Sequence, residues 1–62
     1  MFQLKIDTDN AAFEDDPGFE VARILRRIAD KLENGEDFSK FRTVLDVNGN
    51  DVGRAKLVKG QL

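Results

Sequence analysis

Between Asp16 and Gly35, apolar residues recur at spacings of three and four. Val21, Ile24, Leu25, Ile28 and Leu32 fall on one side of a helix, with Ala22 and Ala29 at its borders. The residues at both ends agree. Asp16 can accept hydrogen bonds from the first free backbone amides, and Pro17 suits the first helical position, where its missing N–H is no loss. Asn34-Gly35 is the chemistry of a left-handed stop. The spacing therefore predicts one long helix over 17–34. At 100° per residue, Phe19, Arg23, Arg26, Arg27 and Asp30 fall on the opposite side, flanked by Lys31. A segment of this length is marginal alone in water. Its stripe needs a partner surface, and each Ile or Leu contributes roughly 1.5–3 kcal/mol only once covered.

The remaining pattern has a period of two. Phe2, Leu4 and Ile6 alternate with Gln3, Lys5 and Asp7, as in a strand with one buried face. Arg42 to Val47 and Asp51 to Leu57 read as two further strands joined at Asn48-Gly49, a strong hairpin signal, with Gly49-Asn50 as the alternative turn. Gly53 suggests a bulge. Val47 and Val52 are expected inside, with Leu45, followed by Ala55 or Leu57. Asn10-Ala-Ala-Phe13 predicts a helical turn capped by Asn10, with Phe13 tucked under the helix start. Phe38 and Phe41 are expected either to close the core as a turn or to enter the next strand, and 58–62 to form a loose tail.

The order β-α-β-β predicts an α+β fold: a three-stranded, mostly antiparallel sheet with the helix packed on one face. Strand order 2-3-1 is favoured over a parallel pairing of the first two strands, because parallel sheets usually need both faces covered. The second face would then be open, with Arg42, Arg54 and Lys56 lining parts of it.

Length bounds this picture. Sixty-two residues make a single domain over 1–62, of a size that buries only about 60% of its unfolded surface. A homodimer or a bound partner is a reasonable expectation, although many domains of this size stand alone. The initiating Met suggests a complete small gene product. With no segment resembling a signal peptide or a membrane span, the expected location is the cytoplasm. The formal charge of −2 argues against a general nucleic-acid binder, and it is too weak for a chain that imitates DNA by charge.

Candidate chemistry is sparse. There is no Cys or His, and Ser39 is the one serine, so nucleophilic catalysis lacks its base. Asp46, Asn48 and Asn50 match the first three ligand places of a calcium loop. Asp51 and Leu57 then stand where that loop needs Gly and Glu, which leaves a hairpin turn as the better account. Asp7, Asp9, Glu14, Asp15 and Asp16 read as solvated and capping carboxylates, since acid–base work needs a pocket that holds such groups in different environments. No catalytic residue, metal site or cofactor is expected, and the chain is not expected to be an enzyme.

The sequence Thr8-Asp-Asn-Ala-Ala-Phe13, with Glu20-Val-Ala-Arg-Ile-Leu25 and Asp46-Val-Asn-Gly-Asn-Asp-Val-Gly53, resembles small uncharacterised proteins encoded by phages and other mobile elements. The resemblance implies a setting, in which many such proteins bind stoichiometrically to a host machine, including inhibitors of restriction or CRISPR complexes. It carries over no site residue. From the residues themselves, the candidate partner-binding surfaces are the outer helix face (Phe19, Arg23, Arg26, Arg27) and the acidic loop (Glu14, Asp15, Asp16), since arginines and aromatics dominate binding hot spots. The expected partner is a host protein or complex. Nucleic-acid contact through Arg23, Arg27, Arg42, Arg54 and Lys56, and self-assembly through strand edges or the open sheet face, are the alternatives.

Overall fold

A computed structural model describes residues 1–58 of the chain. Strand β1 (Phe2–Ile6) leads through a 3₁₀ turn at Ala11–Phe13 into helix α1 (Pro17–Glu33), followed by strands β2 (Arg42–Leu45) and β3 (Asp51–Leu57). The strands form one sheet in the order β1-β3-β2, with both pairings antiparallel. This is an α+β fold with the expected strand order.

The helix ends are made by the residues that predict them. Asp16 Oδ1 accepts the Phe19 N–H at 3.0 Å, with Pro17 in the first turn. At the far end Gly35 N–H donates to Leu32 O and Glu36 N–H to Lys31 O, both at 3.0 Å. This paired closure is the Schellman arrangement, and Gly35 supplies its left-handed backbone at φ 81°. Asn10 caps the 3₁₀ turn, its Oδ1 accepting from Ala12 N–H at 3.0 Å.

Ile24 and Ile28 of α1 join Phe13, Phe38, Val44, Val52 and Ala55 in one buried cluster. Leu4, Ile6, Val21 and Leu32 are partly buried against it. The apolar stripe is narrower than its spacing suggests: Leu25 is 45% exposed. Phe38 closes the core as expected. Phe41 instead lies at the surface, where the Lys56 ammonium sits 4.9 Å from its ring centre.

The hairpin corrects the expected inward set. Its loop has three residues, Val47, Asn48 and Gly49. Gly49 N–H donates to Asp46 O and Asp46 N–H to Asn50 O, both at 3.0 Å, and Gly49 takes φ 83°. A turn closed by a residue in the left-handed region is a common three-residue hairpin. Val44 pairs with Gly53 but Leu45 with Asp51, so Val52 is the extra residue on β3. Because side chains alternate, a one-residue offset exchanges the two faces of a strand. Val44 therefore enters the core, while Leu45 and Val47 turn out and Leu57 lies at the surface. Val58 donates its N–H to Met1 O at 2.8 Å. The remainder of the expected tail, 59–62, lies outside the described residues.

Candidate functional site

Two carboxylates that the periodicity did not single out organise the surface beside the hairpin. Glu20 lies four residues before Ile24 and eight before Ile28, so it extends the buried stripe toward the helix start, and it is itself buried. A charge there needs partners. Glu20 Oε1 accepts from Arg23 Nε at 2.8 Å, and Oε2 accepts from Arg23 Nη2 and from the Val47 N–H, each at 2.9 Å. The Arg23 guanidinium holds the Glu20 carboxyl below the usual carboxylate range, with help from the Val47 N–H, against the opposing effect of burial. The guanidinium is raised in turn, chiefly by its bond to Glu20.

Asp46 is the second. Its Oδ1 accepts from the N–H groups of Asn48 and Asn50 at 2.8 and 2.9 Å. Its Oδ2 accepts from Asn10 Nδ2 at 2.7 Å and Asn50 Nδ2 at 3.3 Å. These donors, the Asn50 amide first, hold Asp46 below its ordinary range. The Asp-x-Asn-x-Asn spacing that resembles the start of a calcium loop thus turns its carboxylate onto its own backbone, a short-range habit of aspartate. Together Glu20 and Asp46 tie the hairpin loop to the helix and to the turn at Asn10.

Their titration sets an acid limit on stability. Both groups have depressed folded values, so below roughly pH 4.5 the unfolded chain takes up protons before the folded one does. The stability they contribute is complete above that range and is lost as pH falls through the folded values. Thermal unfolding followed by circular dichroism between pH 7 and pH 2.5 should give a level midpoint to about pH 4.5 and a decline below it. Asp46→Asn should lower the midpoint at pH 7, since its amide NH2 would face the donors of Asn10 and Asn50, and should decline less on acidification. A variant with the wild-type profile would contradict this.

The proposed helix-face residues separate into two environments. Phe19, Arg26 and Arg27 are exposed, whereas Arg23 is half-buried in its pair with Glu20. In the acidic loop, Glu14, Asp15 and Asp16 are exposed, and Asp16 spends one oxygen on the helix cap.

A groove of about 310 Å³ runs between α1 and β2. Ile24, Ile28, Phe38 and Val44 line it, with Arg23, Arg27 and Lys31 from the helix. Every residue from Arg42 to Val47 also touches it. Arg42 closes one end. Its guanidinium stacks 4.7 Å from the Phe38 ring centre and donates to Asp37 O and Glu36 Oε1, each at 2.9 Å. Nearby, hydrogen bonding from Ser39 holds the Asp37 carboxyl below its ordinary range. The Arg23–Glu20 and Arg42–Glu36 contacts are the two ion pairs among the described residues, so Arg27 and Lys31 face this groove without a carboxylate partner there. A second depression, of about 420 Å³, crosses Gln3, Lys5, Phe41 and Arg54 but includes Asp7 and Asp51, so its charge is mixed.

Comparison with family models, curated proteins and solved structures returns no match.

Proposed function

We propose that this chain is an interaction protein that acts by stoichiometric binding to another protein. In the setting implied by its resemblance to phage-encoded proteins, that partner is a host protein or complex, and inhibition of a defence system such as restriction or CRISPR is its concrete form. The observation that carries the reading is Phe19. It is 70% exposed in the first turn of α1, on the side where Arg26 is also exposed, and follows the exposed acidic residues Glu14 and Asp15 by a few positions in the chain. A large aromatic held in water on a helix, bracketed by charge of both signs, has the composition of a binding anchor.

The test is capture of partners from host lysate with quantification of stoichiometry. The wild-type chain should retain a partner at an equimolar ratio. Phe19→Ala combined with Arg26→Glu should reduce its recovery at least about tenfold, the size expected when an anchor worth more than 1.4 kcal/mol is removed. Neither side chain is buried, so the helical signal should be unchanged. Undiminished recovery with the double variant would remove this assignment.

A further inference from the structure

We propose that the groove between α1 and β2 binds an extended acidic peptide segment, which adds to β2 as a further strand while its carboxylates meet Arg27 and Lys31. The inference deepens the interaction reading above and rests on it.

The backbone supplies the first half. With the order β1-β3-β2, no strand among the described residues neighbours the outer side of β2. Side chains of a strand alternate between faces, so a groove touched by each successive residue from Arg42 to Val47 runs along the strand's edge. The hydrogen-bonding direction alternates too. Asp46 N–H points inward to Asn50 O, so Val44 and Arg42 also point toward β3. The N–H and C=O groups of Thr43 and Leu45 therefore turn toward the open edge. Such an edge is a template for an incoming strand.

The second half is charge. Arg27 and Lys31 stand one helical turn apart on the groove's far side, with no carboxylate partner among the described residues. The molecule already contains one instance of the proposed contact. At the end of the same edge, Val47 N–H donates to Glu20 Oε2, and a helix arginine, Arg23, holds that carboxylate from the other side. An acidic side chain of a bound segment would repeat this arrangement further along. The four residues of β2 offer an edge of roughly 13 Å at 3.3 Å per residue, enough for a short segment. The lining disfavours single-stranded nucleic acid, which needs exposed rings for base stacking. Phe38, the aromatic residue in the groove, is buried and covered by Arg42.

Selection from a ribosome-displayed library of random heptapeptides tests the proposal. Enriched peptides should carry Asp or Glu at alternating positions. On binding, the amides of Thr43 and Leu45 should show the largest NMR shifts and new protection from hydrogen exchange. Arg27→Glu with Lys31→Glu should weaken binding at least about tenfold, since it sets like charges against the acidic segment. Thr43→Pro removes an outward N–H without removing a ladder bond, and should abolish binding. Should that variant fail to fold, the charge reversal still decides. Absence of enrichment, enrichment of peptides without acids, or shifts centred on Phe19 would overturn the proposal. Tighter binding of oligo-dT at the same amides would give the groove to nucleic acid. Protection of Thr43 and Leu45 by concentration alone would give it to a second copy of the chain. If the captured partner is lost with Phe19→Ala/Arg26→Glu but kept by Arg27→Glu/Lys31→Glu, the groove proposal fails while stoichiometric binding stands.

Discussion

Gly53→Ala should lower the unfolding midpoint by about 10 °C or more, although it adds a single methyl group. A Cβ built on Gly53 lies 1.8 Å from Lys5 O, 2.9 Å from Lys5 C and 3.1 Å from Ile6 Cα. These are backbone atoms of β1, so no side-chain rotation relieves the clash, and the strand itself has to move. Overpacking costs about 1–3 kcal/mol even where side chains can yield. In a domain of this size each kcal/mol shifts the midpoint by roughly 4–8 °C. The damage should also be local. Asp7 N–H donates to Val52 O at 2.7 Å next to this approach, so hydrogen exchange at Asp7 should accelerate first. Gly18→Ala is the control, because its Cβ would meet nothing nearer than Asp16 Oδ1 at 3.6 Å. Equal midpoints for the two variants would show that β1 does not need Gly53.

The same position shows what the sequence discloses and what it conceals. Gly53 inside a strand pattern signals a bulge, and the structure has one, with Val52 as the extra residue of β3. The sequence does not disclose the parity that follows. Leu45 and Val47 look like core because they are apolar, and Asp46 looks like surface because it is charged. The reverse holds: Val47 is 62% exposed and Asp46 is buried. Four donors, three from the nearby Asn48 and Asn50 and one from Asn10, 36 positions away, satisfy the Asp46 carboxylate, and apolarity alone cannot predict such a network. Helix ends and the turn at Asn10 were legible because each depends on residues close in sequence, whereas strand order, which joins β1 to the distant β3, followed from the rule that parallel sheets usually need both faces covered. The Glu20–Val47 contact joins residues 27 positions apart. Its one local signal is a glutamate in line with Ile24 and Ile28, and that signal acquires meaning only when the hairpin loop arrives beside it. The candidate surface was legible in part. Phe19 and Arg26 stand in solvent as helical spacing implies, whereas Arg23 belongs to the clasp and Arg27 to the groove.

Ile24→Ala should leave little folded protein at 37 °C. Ile24 is 2% exposed and sits among side chains from the 3₁₀ turn, β2 and β3, so its loss opens a cavity bounded by several elements at once. Truncating a buried Ile to Ala costs about 2–5 kcal/mol. At 0.05–0.15 kcal/mol per residue, a chain of 62 residues has a total of roughly 3–9 kcal/mol. One substitution therefore removes roughly a fifth of the stability at least, and near the lower bound all of it. Leu25→Ala deletes a similar volume one position away. Leu25 is half-exposed, so its cost should stay below about 1 kcal/mol. Urea titrations of both variants at 25 °C measure the difference, with equal slopes confirming that the same surface is exposed on unfolding. If Leu25→Ala proved as damaging as Ile24→Ala, the narrow stripe would be wrong and Leu25 would be covered in solution. A second copy of the chain is the simplest cover, and the apparent stability of wild type would then rise with protein concentration. If Ile24→Ala alone is severe, a bound partner should restore its fold in proportion to ligand concentration over Kd, by the linkage that stabilises any marginal binding domain. Rescue of Ile24→Ala by an acidic heptapeptide would tie the core to the neighbouring groove, since Ile24 belongs to both.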